Sequence, residues 1–162
     1  MNENNIPCES GNVPEEIWET LASEGFDIAI EVPILGGSMR PLLRPKGDSV
    51  KIMPLRRDLV LGDIIVFRRD DGRLIMHRIC KLTPSYVQTI GDNCEYPDRE
   101  ISYDAVFGLV THVLRGNHTI YVDNKLWRSI GRVLTLTIPF RFFLFKNIKQ
   151  PLWRLYKKIS KK

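Results

Sequence analysis

The spacing of apolar and polar residues changes twice along this 162-residue chain, and the changes divide it into three parts. Pro14, Glu15 and Glu16 stand where a helix N-terminus favours a fixed φ and negative charge, and Ile17, Trp18 and Leu21 follow on one face. A short amphipathic helix is predicted there, ending at Gly25. From Phe26 the period drops to two: Phe26, Ile28, Ile30 and Val32 alternate with Asp27, Ala29 and Glu31 as far as Pro33, the pattern of a half-buried strand. Further strands are predicted over residues 50–53, 64–69, 73–81, 86–90, 106–114 and 119–122, with Asp71-Gly72 as a hairpin signal. No helical pattern intervenes, so the fold class is mainly β, an antiparallel domain over 26–124 behind a helical leader over 1–25. Beyond Lys125 the period becomes helical, with Leu126, Ile130, Val133 and Leu134 before Pro139 and Leu152, Leu155, Tyr156 and Ile159 after Pro151. Residues 125–162 therefore read as a tail of basic amphipathic helices punctuated by proline.

Composition narrows the class. An apolar content of 43% and a mean hydropathy of −0.16 supply a core and exclude a disordered or fibrous protein. The net charge of +5 hides an asymmetry: from Lys125 onward there are eleven Lys or Arg and no Asp or Glu, which leaves 13 basic against 19 acidic side chains before it. The first residues have neither a positive segment nor an apolar one, so no secretory signal is expected. The most apolar stretch, 133–145, is broken by Pro139 and Arg141 and falls short of the ~20 residues of a membrane span. The cations of the tail are interleaved with Trp127, Phe140, Phe142, Phe143, Phe145, Trp153 and Tyr156, which suits a helix lying on an anionic membrane. Packing of that helix on the body is compatible with this, and no motif points to nucleic acid. The expected location is the cytoplasmic side, peripheral at the membrane. Cys8, Cys80 and Cys94 are an odd set without CxxC spacing, expected to be isolated reduced thiols. No metal or organic cofactor is implied.

Three weak signals carry the candidate chemistry. Gly36 and Gly37 let the backbone approach a ligand and leave Ser38 exposed on a turn; alone, Ser38 is as well explained as a turn residue. Alternation puts His77 on the strand face of Ile75 and Ile79, where a histidine is commonly a core residue. Asp92 and Asp98 lie in a polar loop where turn chemistry accounts for either. Together they supply a nucleophile, a base to activate it and a carboxylate to orient the base, the parts of acyl-transfer catalysis.

The ordered blocks Gly37-Ser38-Met39-Arg40-Pro41, Leu61-Gly62-Asp63-Ile64-Ile65-Val66-Phe67, Ile75-Met76-His77-Arg78-Ile79, Thr89-Ile90-Gly91-Asp92-Asn93 and Phe107-Gly108-Leu109-Val110 resemble the type I signal peptidases. The closer likeness is to the subfamily of the endoplasmic reticulum, archaea and some Gram-positive bacteria, over roughly residues 30 to 115. The resemblance implies that Ser38 is the nucleophile, that His77 takes the place of the lysine base of most bacterial members, and that Asp98 is the third member. Asp92 is then expected to buttress the loop. A serine common in the family two residues before the nucleophile is replaced by Gly36, so the oxyanion would rest on backbone donors around Gly36 and Gly37, chiefly the Ser38 N–H. Arg40 stands where the subfamily is often acidic, and the transmembrane anchor that normally precedes the catalytic domain is missing from this sequence. The expected activity is endopeptidase cleavage of an extended peptide or leader after small residues. Ile30, Val32, Ile34 and Met39 are the expected substrate contacts, with the segment 30–35 pairing by strand addition. Three alternatives stay open: a non-catalytic peptide- or membrane-binding module, a cytosolic protease maturing one dedicated peptide, and a self-cleaving protease like the SOS repressors. Those repressors use a lysine base and a cleavable Ala-Gly or Cys-Gly bond, which this chain lacks.

Overall fold

The structure is a computed structural model that describes residues 29–144 and residue 147. The leader helix expected over 14–25, the start of the first strand and the helix expected after Pro151 lie outside the described residues. The strands are β1 (Ile30–Pro33), β2 (Asp48–Met53), β3 (Ile64–Arg68), β4 (Leu74–Leu82), β5 (Val87–Ile90), β6 (Val106–Arg115) and β7 (His118–Tyr121), followed by helix α1 (Lys125–Leu144). They form one antiparallel sheet in the order β1-β2-β6-β3-β4-β5, with β7 paired to β6. The fold is mainly β.

Both faces of the sheet centre are buried, which explains why β3 reads Ile-Ile-Val-Phe without alternation. Ile64 and Val66 join one core with Val32, Ile34, Met39 and Val110, while Ile65 and Phe67 join the other with Ile75, Ile79 and Leu109. The β3–β4 hairpin turns at Gly72, whose φ of +83° is open to glycine at no steric cost, and Arg69 N–H closes it on Arg73 O.

Helix α1 is bolted to the sheet by charge. Asp63 is buried and accepts from Arg57 Nη1 at 2.8 Å, Arg57 Nη2 at 2.9 Å and Arg128 Nε at 2.8 Å, and Asp123 pairs with both arginines. Gly62 is the contact point: a Cβ there would stand 2.6 Å from Arg128 O. Burial pushes the Asp63 carboxyl up, but its hydrogen bonds to Arg57, the Val60 N–H and Arg128 hold it below the usual value of 3.8. A carboxyl lowered by folding contributes stability above its unfolded value, and the contribution is lost as pH falls through the native one. Asp63→Asn should therefore cost about 2 kcal/mol at neutral pH, with the deficit shrinking below about pH 4; urea titrations of both proteins across pH read the difference.

Two expectations change. The tail does not break at Pro139, which lies inside α1. Proline forfeits the bond to the Thr135 carbonyl, but packing on both sides holds the axis: Ile138 is buried, and Phe142 packs with it against Ile90 and Cys94. Only one side of α1 packs on the body, and Leu126 and Val133 of the expected apolar face stay exposed. Of the cysteines, Cys80 is a free thiol, whereas Cys94 is disulfide-bonded, so the expectation of isolated reduced thiols fails for Cys94. The odd count and the absence of CxxC spacing concealed it, because a disulfide needs proximity in space and not in sequence. No helix among the described residues is long and apolar enough to cross a membrane.

Candidate active site

The site forms where the β1–β2 connection meets the ends of β4 and β5. Arg40 N–H bonds Gly37 O at 3.2 Å and Leu43 N–H bonds Met39 O at 3.1 Å, so the chain around Ser38 is a tight turn. Met39 and Leu43 anchor it in the core. The loop after β5 is clamped to this turn, with Asn93 N–H donating to Ser38 O at 2.7 Å and Asn93 Nδ2 to Gly37 O at 3.4 Å.

His77 is 2% exposed and faces the core of Ile75 and Ile79, as alternation predicts, with Phe67 beside its ring. Its Nδ1 lies 2.6 Å from Asp98 Oδ2. An ionised carboxylate only accepts, so Nδ1 carries the proton and Nε2 keeps the lone pair. Nε2 is buried and has no hydrogen-bond partner among the described residues. Asp98 is held from every side: Thr89 Oγ1 donates to Oδ2 at 2.7 Å, Arg69 Nη2 to Oδ1 at 3.1 Å, and its own N–H bonds Thr89 O at 2.8 Å. Burial pushes this carboxyl up, yet the hydrogen bonds from His77 and the Thr89 hydroxyl and the charge of Arg69 outweigh it and hold it below 3.8. It is ionised at neutral pH.

Asp92 takes the other role. It is fully buried and receives Arg78 Nε and Nη2, each at 2.7 Å, while Arg78 Nη1 bonds Gly62 O at 2.8 Å. The register that pairs Arg78 with Ile90 brings this guanidinium beneath the loop. Asp92 thus fastens the loop to the sheet, and Asp98 alone of the two touches His77.

Gly91 is where the parts converge. A Cβ on it would stand 2.5 Å from Cys94 Sγ, 2.8 Å from Ser38 O and 3.0 Å from His77 Nε2. The backbone carbonyl of Ser38 and the His77 ring therefore approach the same Cα, although no hydrogen bond joins Ser38 Oγ to Nε2. Gly91→Ala should displace the serine turn from the histidine; should the site catalyse peptide cleavage, it would lower kcat/KM on the order of 100-fold, with little change in the affinity of a bound product peptide.

A shallow cleft opens beside the turn, lined by Val32, Ile34, Gly36, Ser38, Met39 and Met76 among others. Val32, Ile34 and Met39 form its floor while belonging to the core; Ile30 packs against the core and does not line it. The Ser38 N–H makes no hydrogen bond to another described residue. Cys80, the free thiol, donates to Gln88 O, and burial pushes it up to about 11, which leaves it a poor nucleophile. Arg69 and Thr89 escaped sequence reasoning, since neither stands near Asp98 in the chain; Thr89's place at the same strand end as the Gly-Asp-Asn loop was the available signal. No protein-family model matches the chain, and no curated protein matches its sequence.

Proposed function

We propose that this chain is a serine endopeptidase, similar to the type I signal peptidases that use histidine, with Ser38 as nucleophile, His77 as general base and Asp98 as the carboxylate that orients it. The observation that carries the reading is His77 fixed through Nδ1 on a charged carboxylate, with its Nε2, unpartnered among the described residues, turned to the Gly91 position that the Ser38 backbone carbonyl also approaches. In this reading an extended peptide adds to the free edge of β1, where Glu31, Pro33 and Leu35 are exposed, and its scissile carbonyl reaches Ser38. His77 Nε2 takes the Ser38 proton as Oγ attacks, the Ser38 N–H donates to the oxyanion, and the imidazolium returns the proton to the leaving amine. Water then releases the acyl group by the reverse proton path. A cleft floored by Val32, Ile34 and Met39 favours small side chains before the cut.

The test is mapping of new termini by mass spectrometry after incubating the full chain with a proteome-derived peptide pool in lipid vesicles. Cuts after small residues, absent from the digest with Ser38→Ala, support the reading. An intact pool together with peptide binding that Ser38→Ala leaves unchanged overturns it. That result favours a binding module, the reading that the missing Ser38–His77 hydrogen bond also suits. Catalytic hydrogen bonds are often long before substrate arrives, which is why the peptidase reading is preferred.

A further inference from the structure

Helix α1 has two faces of opposite kind. One is spent on the body: Arg128 on Asp63, Gly131 over the Arg78 guanidinium, and Ile138 and Phe142 against Ile90 and Cys94. The other carries Leu126, Val133, Leu136, Phe140 and Phe143, which are 67%, 59%, 80%, 62% and 61% exposed. At 100° per residue these five positions fall within an arc of roughly 100°, a stripe roughly 26 Å long pointing away from the sheet. A monomeric surface seldom leaves so many large apolar side chains in one line. The helix contains no acidic residue, and from Lys125 onward the chain has eleven cations without one anion.

We infer that the outer stripe of α1 docks on the surface of an anionic lipid membrane, with the helix axis in the membrane plane. The charge pattern selects this occupant. A second copy of the chain would oppose cation to cation with no acid to offset them, whereas an anionic bilayer offers acyl chains to the stripe and headgroups to the lysines and arginines. The helix is fixed to the sheet by Asp63 and reaches the loop after β5 through Ile138, so docking would hold the cleft at a set orientation to the lipid. The inference does not depend on the peptidase reading, because it concerns the opposite face of a different element.

The experiment is co-sedimentation of the full chain with phosphatidylcholine vesicles, with and without phosphatidylglycerol, at low and high salt. Binding on the order of tenfold tighter to the anionic vesicles, weakened by salt, is expected. The double variant Leu136→Glu, Phe140→Glu should lose at least about tenfold of that binding while keeping its circular dichroism spectrum, since both side chains already face water. Should that variant unfold, Leu136→Gln alone is read in the same assay. Absence of binding to either vesicle overturns the inference, as does binding that the stripe variants leave intact, which would assign it to cations alone. A wild-type dimer that the stripe variants dissociate, seen by sedimentation equilibrium, also overturns it and assigns the stripe to a second copy.

Discussion

If the proposed peptidase reading holds, Ser38→Ala should lower peptide-cleavage kcat by about 10⁶, and Asp98→Asn by about 10⁴ with substrate affinity nearly unchanged. The alanine variant removes the only atom that can form the acyl-enzyme, so what survives is transition-state binding by backbone donors. The asparagine variant acts differently. It keeps the size of Asp98 and can keep a hydrogen bond to His77, but it can donate its amide hydrogen to Nδ1, which leaves the lone pair on the wrong nitrogen and removes the charge that stabilises the imidazolium. Thr89 and Arg69, which now donate to Asp98, would compete for the one remaining oxygen. Because the three residues act as a unit, the double variant should be no slower than Ser38→Ala. Steady-state kinetics on a peptide cut by the wild type read all three, and multiplicative losses would show that Asp98 acts on folding and not through His77.

Asp92→Asn should destabilise the protein by about 3 to 5 kcal/mol, the usual cost of leaving a buried charge without its partner. Arg78 is 2% exposed and, beside asparagine, would keep the Gly62 carbonyl and one amide oxygen but no counter-charge. The consequence reaches further than the pair, because Gly131 of α1 rests directly on the Arg78 guanidinium. The same pair should be replaceable as a unit: Arg78→Met with Asp92→Leu removes both charges and should recover much of the loss. Urea midpoints at fixed slope measure this, and an Asp92→Asn variant as stable as wild type would mean that water reaches Arg78.

What was legible in the sequence follows from which interactions are local. Alternation in β4 placed His77 correctly among Ile75 and Ile79 because a strand's side-chain period is fixed by the backbone. The hairpin at Gly72 was legible because turn chemistry is set by its own residues. The division of labour between Asp92 and Asp98 was not decided by periodicity, since it depends on the β4–β5 register that sets Arg78 opposite Ile90. The clamp of Arg69 and Thr89 on Asp98 is hidden for the same reason, as is the disulfide at Cys94. Pro139 misled because proline's cost to a helix is local and legible, whereas the packing of Ile138 and Phe142 that offsets it is neither.

The outer edge of β1, which no described strand pairs, has a bearing on how copies of the chain associate. Ile34 N–H bonds Asp48 O, and the pairing of Val32 with Val50 continues the ladder, so the main-chain groups of the even-numbered residues face β2 and those of Glu31 and Pro33 face outward. Proline has no N–H to offer, so the outward row lacks a donor at the last residue of a strand of four. Two copies meeting edge to edge would lose that bond twice over and bring the two Glu31 carboxylates close together, which works against runaway strand pairing. A single peptide arriving from solution would forgo it only once, so the edge is open to a transient guest and poorly suited to building fibres.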